Sequence, residues 1–200
     1  MLPRLGASRL ISIWIKVTVA ASLIAHFDGG WLARWTALAP ALIARGQLWR
    51  LVTWAVVTPE PLGLILTCVA IYRFGGELVE RWGAPRVRSF MLQIVAGAAT
   101  ATVALGLVVD RVWHLFAVGG WAVSDALVIA WARQFPDRPL RLYGVLELSG
   151  RQLIAVTITV TCVYAIFDGV WPWTPELLVC AAAYAYPSAR LSRPGWRRWN

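Results

Sequence analysis

The sequence has few charged residues for its length. Aspartate, glutamate, lysine and arginine make up 14% of its 200 residues, whereas soluble proteins carry about 25%. Hydrophobic residues make up 59%, and the mean hydropathy is +0.63. These residues form blocks long enough to cross a bilayer as helices, which takes about 20 residues. The composition therefore excludes an ordinary soluble domain and predicts a one-domain polytopic membrane protein.

Cysteine and histidine are also scarce. The three cysteines lie inside apolar runs, and an odd number of thiols in such runs excludes a disulfide framework. The two histidines, His26 and His114, fall near the predicted outer rim of the protein. We predict neither a metal site nor a cofactor. The cysteines are Cys68, Cys162 and Cys180.

Positive charge exceeds negative charge, with a formal net charge of +9. A basic balance can indicate nucleic-acid binding, but here the arginines lie between apolar blocks. Cytoplasmic loops of membrane proteins are rich in lysine and arginine. With six spans, fourteen arginines fall in predicted inner segments and four in outer ones. The pattern predicts cytoplasmic amino and carboxyl termini and no nucleic-acid partner.

The apolar blocks predict six membrane-spanning helices. The first, over about 10–26, follows Arg4 and Arg9 and contains Lys16. No clear cleavage site follows it, so we interpret it as a span and not as a signal peptide. The other five are expected at about 61–78, 89–109, 119–133, 153–167 and 176–186.

Residues 28–54 are too broken by Pro40 and Arg45 to cross the membrane. Their tryptophans, including Trp31 and Trp35, favour the headgroup level. We therefore predict interfacial helices that lie on the outer leaflet in this first loop.

The fifth and sixth predicted spans are short. About 15 and 11 residues give roughly 22 and 16 Å of helix, against about 30 Å of hydrocarbon. Such a mismatch thins the surrounding bilayer. The membrane domain is expected to cover residues 1–188. A short basic cytoplasmic tail, expected at 189–200, would bind anionic lipid through its tryptophans and arginines.

Several motifs occur in a fixed order along the chain. The pair Trp49-Arg50 lies in the first loop, and residues 72–80 read YRFGGELVE at the end of the second span. With these motifs in this order, the chain resembles the Derlin branch of the rhomboid superfamily over about residues 45–185. The resemblance implies an all-α, rhomboid-like bundle of six transmembrane helices, with amphipathic interfacial helices in the first loop. The fourth span and its loop carry the other motif residues: Gly120, Ser124, Trp131, Arg133, Pro136 and Tyr143-Gly144.

The resemblance also implies that the chemistry of rhomboid proteases is lost. Those enzymes use a serine in the fourth span and a histidine in the sixth, since a serine hydroxyl needs a base to become a nucleophile. The serine position corresponds to Ala122, and the histidine position falls near Tyr184. Thr67 stands where the oxyanion asparagine would be, and Gly63 where an upstream histidine would be. We therefore do not expect an enzyme.

Polar residues remain inside the predicted spans. Asp125 is a candidate functional residue, because acids within a membrane are rare and costly; it is expected to be protonated or paired with an arginine. Ser124 is expected to bond within its own helix or to a neighbour. The sixth-span G-x-x-x-S/G motif of Derlins corresponds to Val179 and Ala183 here, so that helix is expected to pack differently. The expected polar lining of an inner cavity is Thr67, Ser124, Asp125, Thr157, Thr159 and Thr161.

The resemblance implies a role in membrane protein quality control. Derlins recognise misfolded or unassembled polypeptides and assist their retrotranslocation for degradation. The expected partners are such clients, membrane lipid, and an AAA-type ATPase or ubiquitin-ligase machinery bound through cytoplasmic loops; an oligomer is compatible with this. The membrane would be the endoplasmic reticulum in a eukaryote and the plasma membrane in a bacterium. Two alternatives stay open: an intramembrane serine protease with a displaced centre, and a scaffold for transmembrane partners.

Two groups of charged motif residues have a structural interpretation. An arginine at position 50 can satisfy several loop carbonyl groups at once. Glu77 and Glu80 stand at helical spacing from Arg73 and Arg81, so ion pairs are expected there.

Overall fold

The computed structural model describes residues 5–142 and 146–186 and is mostly helical. Its helices pack into one bundle, with short helices in the first loop and one small β-hairpin. The elements are α1 Leu5–Phe27, α2 Trp31–Thr36, α3 Pro40–Ala44, α4 Arg50–Thr53, α5 Pro61–Ala70, α6 Gly76–Trp82, α7 Ala84–Gly106, α8 Asp110–Trp113, α9 Gly120–Gln134, β1 Leu140–Leu142, β2 Leu146–Leu148, α10 Gly150–Phe167 and α11 Thr174–Ala185.

Four helices in the described part of the chain are long and apolar enough to cross a membrane. They are Arg9–Phe27 of α1, Pro61–Trp82, α7 and α10. The second is continuous because a π-helical segment, Ile71–Gly75, joins α5 to α6. The first, second and third predicted spans coincide with these helices to within a few residues.

The fifth predicted span is longer than the sequence indicated. α10 has 18 residues, against the 15 expected, and is therefore about 27 Å long. A capping box formed by Ser149 and Gln152 stabilises the first turn of α10, which the sequence did not predict. The Ser149 hydroxyl accepts a hydrogen bond from the Gln152 backbone N–H at 3.3 Å, and the Gln152 side chain accepts one from the Ser149 N–H at 2.9 Å. The mismatch predicted for this helix is wrong.

The helices found at the fourth and sixth predicted spans are shorter than the four candidate spans. α9 has 15 residues and α11 has 12, or about 22 and 18 Å. Eleven residues of α9 are buried, around its whole circumference. It packs against α5, α7, α10 and α11, which accounts for a helix that is apolar on every side. The bundle is therefore built around α9.

Three short helices form the first loop, where interfacial helices were predicted. The Trp31, Trp35 and Trp49 rings stack in a row, with centroids 6.3 and 5.2 Å apart. Two backbone hydrogen bonds between Leu38 and Ala117, at 2.8 and 3.0 Å, join the loop to the segment before α9. The loop is therefore fixed to the bundle at the start of its central helix.

Arg50 is buried within this loop, with 4% of its surface exposed. Its Nη1 donates to the carbonyl oxygens of Arg34 and Ala37, both at 2.7 Å, and its Nε donates to Gln47 Oε1 at 2.7 Å. Burial disfavours the charged form, so the pKa of the guanidinium is lowered from its ordinary value. These contacts to loop carbonyl groups are the ones expected from the sequence.

The hairpin of β1 and β2 was not predicted and is a small departure from an all-α class. It pairs Leu140 with Leu148 and Leu142 with Leu146 in antiparallel register. The expected Tyr143-Gly144 closure lies outside the described residues, as does the tail 189–200.

We predict that Arg50→Gln destabilises the protein, because it leaves loop carbonyl groups buried without a donor. Each lost hydrogen bond to a charged group is worth about 1.5–3 kcal/mol, so a clear fall in the unfolding midpoint in detergent micelles is expected. Arg45→Gln, at an exposed arginine of the same loop, is the control and should leave the midpoint unchanged. Equal midpoints for the two variants would contradict a structural role for Arg50.

Candidate functional site

The start of α9 is a point of close approach between three parts of the chain. The Gly119 N–H donates to the Trp54 carbonyl at 2.8 Å. A Cβ at Gly119 would overlap the Trp54 indole and lie 3.1 Å from Glu176 Oε1, and one at Gly120 would overlap the Thr58 side chain. Glycine is therefore required at both positions for the loop before α5, and for α11, to reach α9.

Three buried polar atoms beside this point have no hydrogen-bond partner within the described residues. They are Trp54 Nε1, Thr58 Oγ1 and Glu176 Oε2. Thr58 and Glu176 are 2% and 4% exposed, and Trp54 is fully buried. An unpaired buried polar group costs about 1–3 kcal/mol. Each of the three atoms, a donor, a hydroxyl and a carboxyl oxygen, has the capacity to bond to a water molecule or a small polar group.

Trp54, Thr58 and Glu176, which we call the polar cluster, were not predicted to lie together. Glu176 lies in the first turn of α11, directly after Thr174-Pro175. Acids are common in the first turn of a helix, where they are usually exposed. The burial of Glu176 is a tertiary effect that this local pattern does not indicate.

Thr67, from α5, also contacts the start of α9. Its hydroxyl donates to the Gly120 carbonyl oxygen at 3.3 Å, and the residue is fully buried. The position that the resemblance assigned to an oxyanion asparagine therefore holds two helices together.

Asp125 lies one turn further along α9, where α10 and α11 meet it. Its Oδ2 accepts hydrogen bonds from Thr161 Oγ1 at 3.1 Å and from Cys180 Sγ at 3.6 Å. The residue is 7% exposed and so lies within the helix packing. Its partners among the described residues are thus a hydroxyl and a thiol, and the alternative pairing with an arginine is not formed there.

The six residues expected to line one cavity do not do so. Thr67 and Thr161 bond to α9 from two different helices. The Ser124 hydroxyl donates to the Trp121 carbonyl at 2.8 Å. This bond lies within α9 and is one of the two arrangements expected for Ser124. Thr159 lies on the exposed face of α10, and Thr157 is half-buried. A helix turns by about 100° per residue. Thr159 is therefore about 200° round α10 from both Thr157 and Thr161 and does not share their face.

The two positions assigned to the lost catalytic pair do not face each other. Ala122 is fully buried at the start of α9. Tyr184 is 57% exposed, and its ring lies 5.5 Å from the Arg133 guanidinium. Arg133 follows Ala122 by eleven residues, or about 16 Å along the helix. The assignment of Tyr184 to the histidine position is therefore wrong.

Glu176 and Cys180 are the residues of α11 that lie level with Ala122. Glu176 lies beside Gly119, and Cys180 donates to Asp125. The error arose because the register between two packed helices depends on tertiary contacts, which a single sequence does not reveal. α11 therefore presents a carboxyl group, and not a phenol, near the start of α9.

Both histidines lie on exposed parts of the molecule. His26 stacks edge-on against Phe27 at the end of α1, with centroids 5.3 Å apart. His114 follows α8 and lies 3.6 Å from the Asp110 carboxyl group. In the described part of the chain the Ser124 hydroxyl bonds to the Trp121 carbonyl and to neither histidine.

The far end of α9 is held by a network around Glu77. Trp131 Nε1 donates to Glu77 Oε2 at 2.8 Å, and Arg138 Nη1 donates to the same oxygen at 2.8 Å. Arg73 lies 3.1 Å from Glu77 Oε1, which confirms the ion pair predicted from helical spacing. These contacts join α9 to α6 and to the loop after α9.

Arg133 and Pro136 join α9 to the two helices that follow it. Arg133 donates to the carbonyl oxygens of Ala183 at 3.2 Å and Tyr186 at 2.6 Å, and so satisfies the last turn of α11. The Pro136 carbonyl accepts from the Arg151 N–H at 3.1 Å. The fourth-span motif is therefore a set of packing contacts at this end of the bundle.

Residues 6–186 match the model of a protein family described as eukaryotic integral membrane protein (DUF1751). The chain belongs to this family. Membership agrees with the four long apolar helices and makes this chain an integral membrane protein. No curated protein matches the chain. The family description names no activity or partner, so the function rests on the site.

We predict opposite effects for one substitution at two glycines. Gly120→Ala forces a methyl group into the Thr58 side chain, and overpacking of this kind costs about 1–3 kcal/mol. Gly97→Ala, in α7, meets nothing within 4 Å and should be neutral or stabilising by up to about 1 kcal/mol. Thermal unfolding of the two variants side by side tests this. Equal midpoints would show that α9 and the loop are not in close contact.

Proposed function

We propose that the protein is a non-catalytic, Derlin-like member of the rhomboid superfamily that recognises misfolded or unassembled polypeptides within the membrane. In this proposal it thins the bilayer locally and assists the extraction of these clients for degradation. The polar cluster at the start of α9 is the observation that carries the proposal. It offers unused hydrogen-bonding capacity close to Ala122, which stands where a rhomboid protease would have its serine.

The proposed architecture has six transmembrane helices, of which α9 and α11 are the fourth and sixth. The short length of α9 is compatible with this, since a helix surrounded by four others need not match the lipid thickness. Six crossings put both termini on one side, and the arginine distribution favours the cytoplasm.

The absence of proteolysis is supported by the surroundings of Ala122 and Ser124. A methyl group cannot attack a peptide bond. The Ser124 hydroxyl already donates to the Trp121 carbonyl, and a general base must lie within about 2.6–3.2 Å of the proton that it removes. The nearest titratable group on the same helix, Asp125, accepts its hydrogen bonds from Thr161 and Cys180.

Recognition of clients would use the polar groups at the start of α9. An unsatisfied backbone or polar side chain in lipid costs several kcal/mol, so a misfolded segment gains by reaching a hydrogen-bonding partner. Glu176 Oε2 and Thr58 Oγ1 have unused bonding capacity in a buried setting. The short α11, about 18 Å long, would lower the bilayer thickness beside it.

The proposed partners beyond clients and lipid bind on the cytoplasmic side. An AAA-type ATPase or ubiquitin-ligase machinery would contact the basic surface formed by the loop after α9 and the first turn of α10, where Arg138 and Arg151 are exposed. The proposed membrane is the endoplasmic reticulum or, in a bacterium, the plasma membrane.

Site-specific photocrosslinking tests client recognition. A photoreactive residue is placed at exposed positions Ile65 in α5 and Val156 in α10, with exposed Ile13 in α1 as control. The client is a leucine-rich transmembrane peptide with one central asparagine, and its matched control lacks the asparagine. We expect adducts at positions 65 or 156 that depend on the asparagine and increase in long-chain lipid, where the mismatch is greatest.

A second variant ties this result to the polar cluster. Glu176→Met replaces the buried carboxyl group with an apolar chain of similar size, an exchange that buried ionisable sites often tolerate. It should lower the yield of the asparagine peptide and leave the control peptide unchanged. If both peptides crosslink equally at all three positions, the proposal of client recognition fails. If client binding holds but removal of the protein from cells leaves client turnover unchanged, the protein is a scaffold.

Activity-based labelling tests the non-catalytic part separately. We predict no labelling by a fluorophosphonate probe in bilayers where an active rhomboid protease is labelled, because the Ser124 hydroxyl donates to the Trp121 carbonyl and not to a base. Wild-type protein and Ser124→Ala should give the same blank result by in-gel fluorescence. Labelling of the wild type that disappears in Ser124→Ala would establish the displaced-centre protease instead.

A further inference from the structure

A second feature, unrelated to the polar cluster, lies between α1 and α7. It is a groove of about 180 Å³, and the α4 segment of the first loop forms part of its lining. Trp14 of α1, Met91 and Val95 of α7, and Val52 and Ala55 of the loop form its walls. An engineered apolar cavity of about 150 Å³ holds a benzene molecule, so this groove takes a stretch of hydrocarbon.

One charged residue, Arg88, is among those that line the groove. Its side chain is exposed, and among the described residues no acidic group pairs with it. A long apolar slot with one uncompensated cation at its edge is complementary to a molecule with a hydrocarbon chain and an anionic head.

The position of Arg88 along α7 fits the depth of a lipid headgroup. α7 has 23 residues, about 34 Å, and Arg88 is four residues, or about 6 Å, from its first residue. The hydrocarbon core is about 30 Å thick, so a side chain this close to the helix end reaches the headgroup region. Met91 and Val95 follow along α7 at acyl-chain depth.

We propose that this groove binds an anionic phospholipid, with one acyl chain between α1 and α7 and its phosphate on Arg88. Residues of α1, α7 and the first loop surround the chain, so the lipid would be held longer than the lipid around the rest of the bundle. A client helix is the other occupant to consider. The groove favours lipid, because a helix is about 10 Å across with its side chains and rises 5.4 Å per turn, so even one turn exceeds the groove volume of about 180 Å³.

Photoreactive lipids test this proposal. The protein is reconstituted in phosphatidylcholine vesicles that contain a phosphatidylglycerol or a phosphatidylcholine carrying a diazirine in one acyl chain. After irradiation, labelled peptides of α1 and α7 are measured by mass spectrometry. We expect the phosphatidylglycerol probe to label both peptides, and Arg88→Gln to lower that labelling about fivefold without changing the phosphatidylcholine signal.

Three further variants make the result specific. Arg88→Lys should retain most of the labelling, and Arg111→Gln, which removes an exposed arginine outside the groove, should retain all of it. Val52→Phe fills the groove from an exposed position and should lower labelling by both probes. Equal labelling by both probes in the wild type, no effect of Arg88→Gln, or displacement of the probe by a transmembrane client peptide would each overturn the proposal. None of these outcomes depends on client recognition at the polar cluster.

Discussion

The contact of two glycines with bulky neighbours at the start of α9 is the constraint on which the rest of the structure depends. Gly119 and Gly120 let the Trp54 ring and the Thr58 side chain lie directly against the helix backbone. The loop that carries Trp54 is ordered in turn by Arg50 and by the Leu38–Ala117 pairing. Without this approach the loop helices would lose their fixed place, and so would Glu176, which closes the same point from α11.

Because α9 is buried on every side, its polar groups need hydrogen-bond partners within the protein. Along most of the helix the polar groups are satisfied at short range: Ser124 by its own backbone, and Asp125 by Thr161 and Cys180. At the far end the tryptophan and arginines of the motif are bonded to Glu77 and to α11. The start of α9 differs, because among the described residues the buried side-chain atoms without partners gather there. In the described part of the chain, unused hydrogen-bonding capacity of buried side chains therefore lies at one end of the central helix.

The sequence indicated those features that depend on local composition and missed those that depend on packing. The long helices were located because apolar length is local. The first turn of α10 was missed because a cap, and not hydrophobicity, adds it, and Arg151 within it is exposed. The burial of Glu176 and the place of Tyr184 both follow from the register of α11 against α9. The hairpin was missed because strands of three residues are too short for a periodic signal.

The two short helices have different consequences in the proposed six-helix arrangement. α9 is enclosed by protein, so its length imposes nothing on lipid. α11 has a buried face and an exposed face that includes Tyr184, and its last turn is fixed by Arg133. It can neither lengthen nor tilt freely, so in the proposed arrangement the bilayer would adapt to it. The adaptation would be restricted to the side of the molecule where α11 is exposed. Under the proposed function, a client would approach from that side and meet thinned lipid beside the helix that carries Glu176.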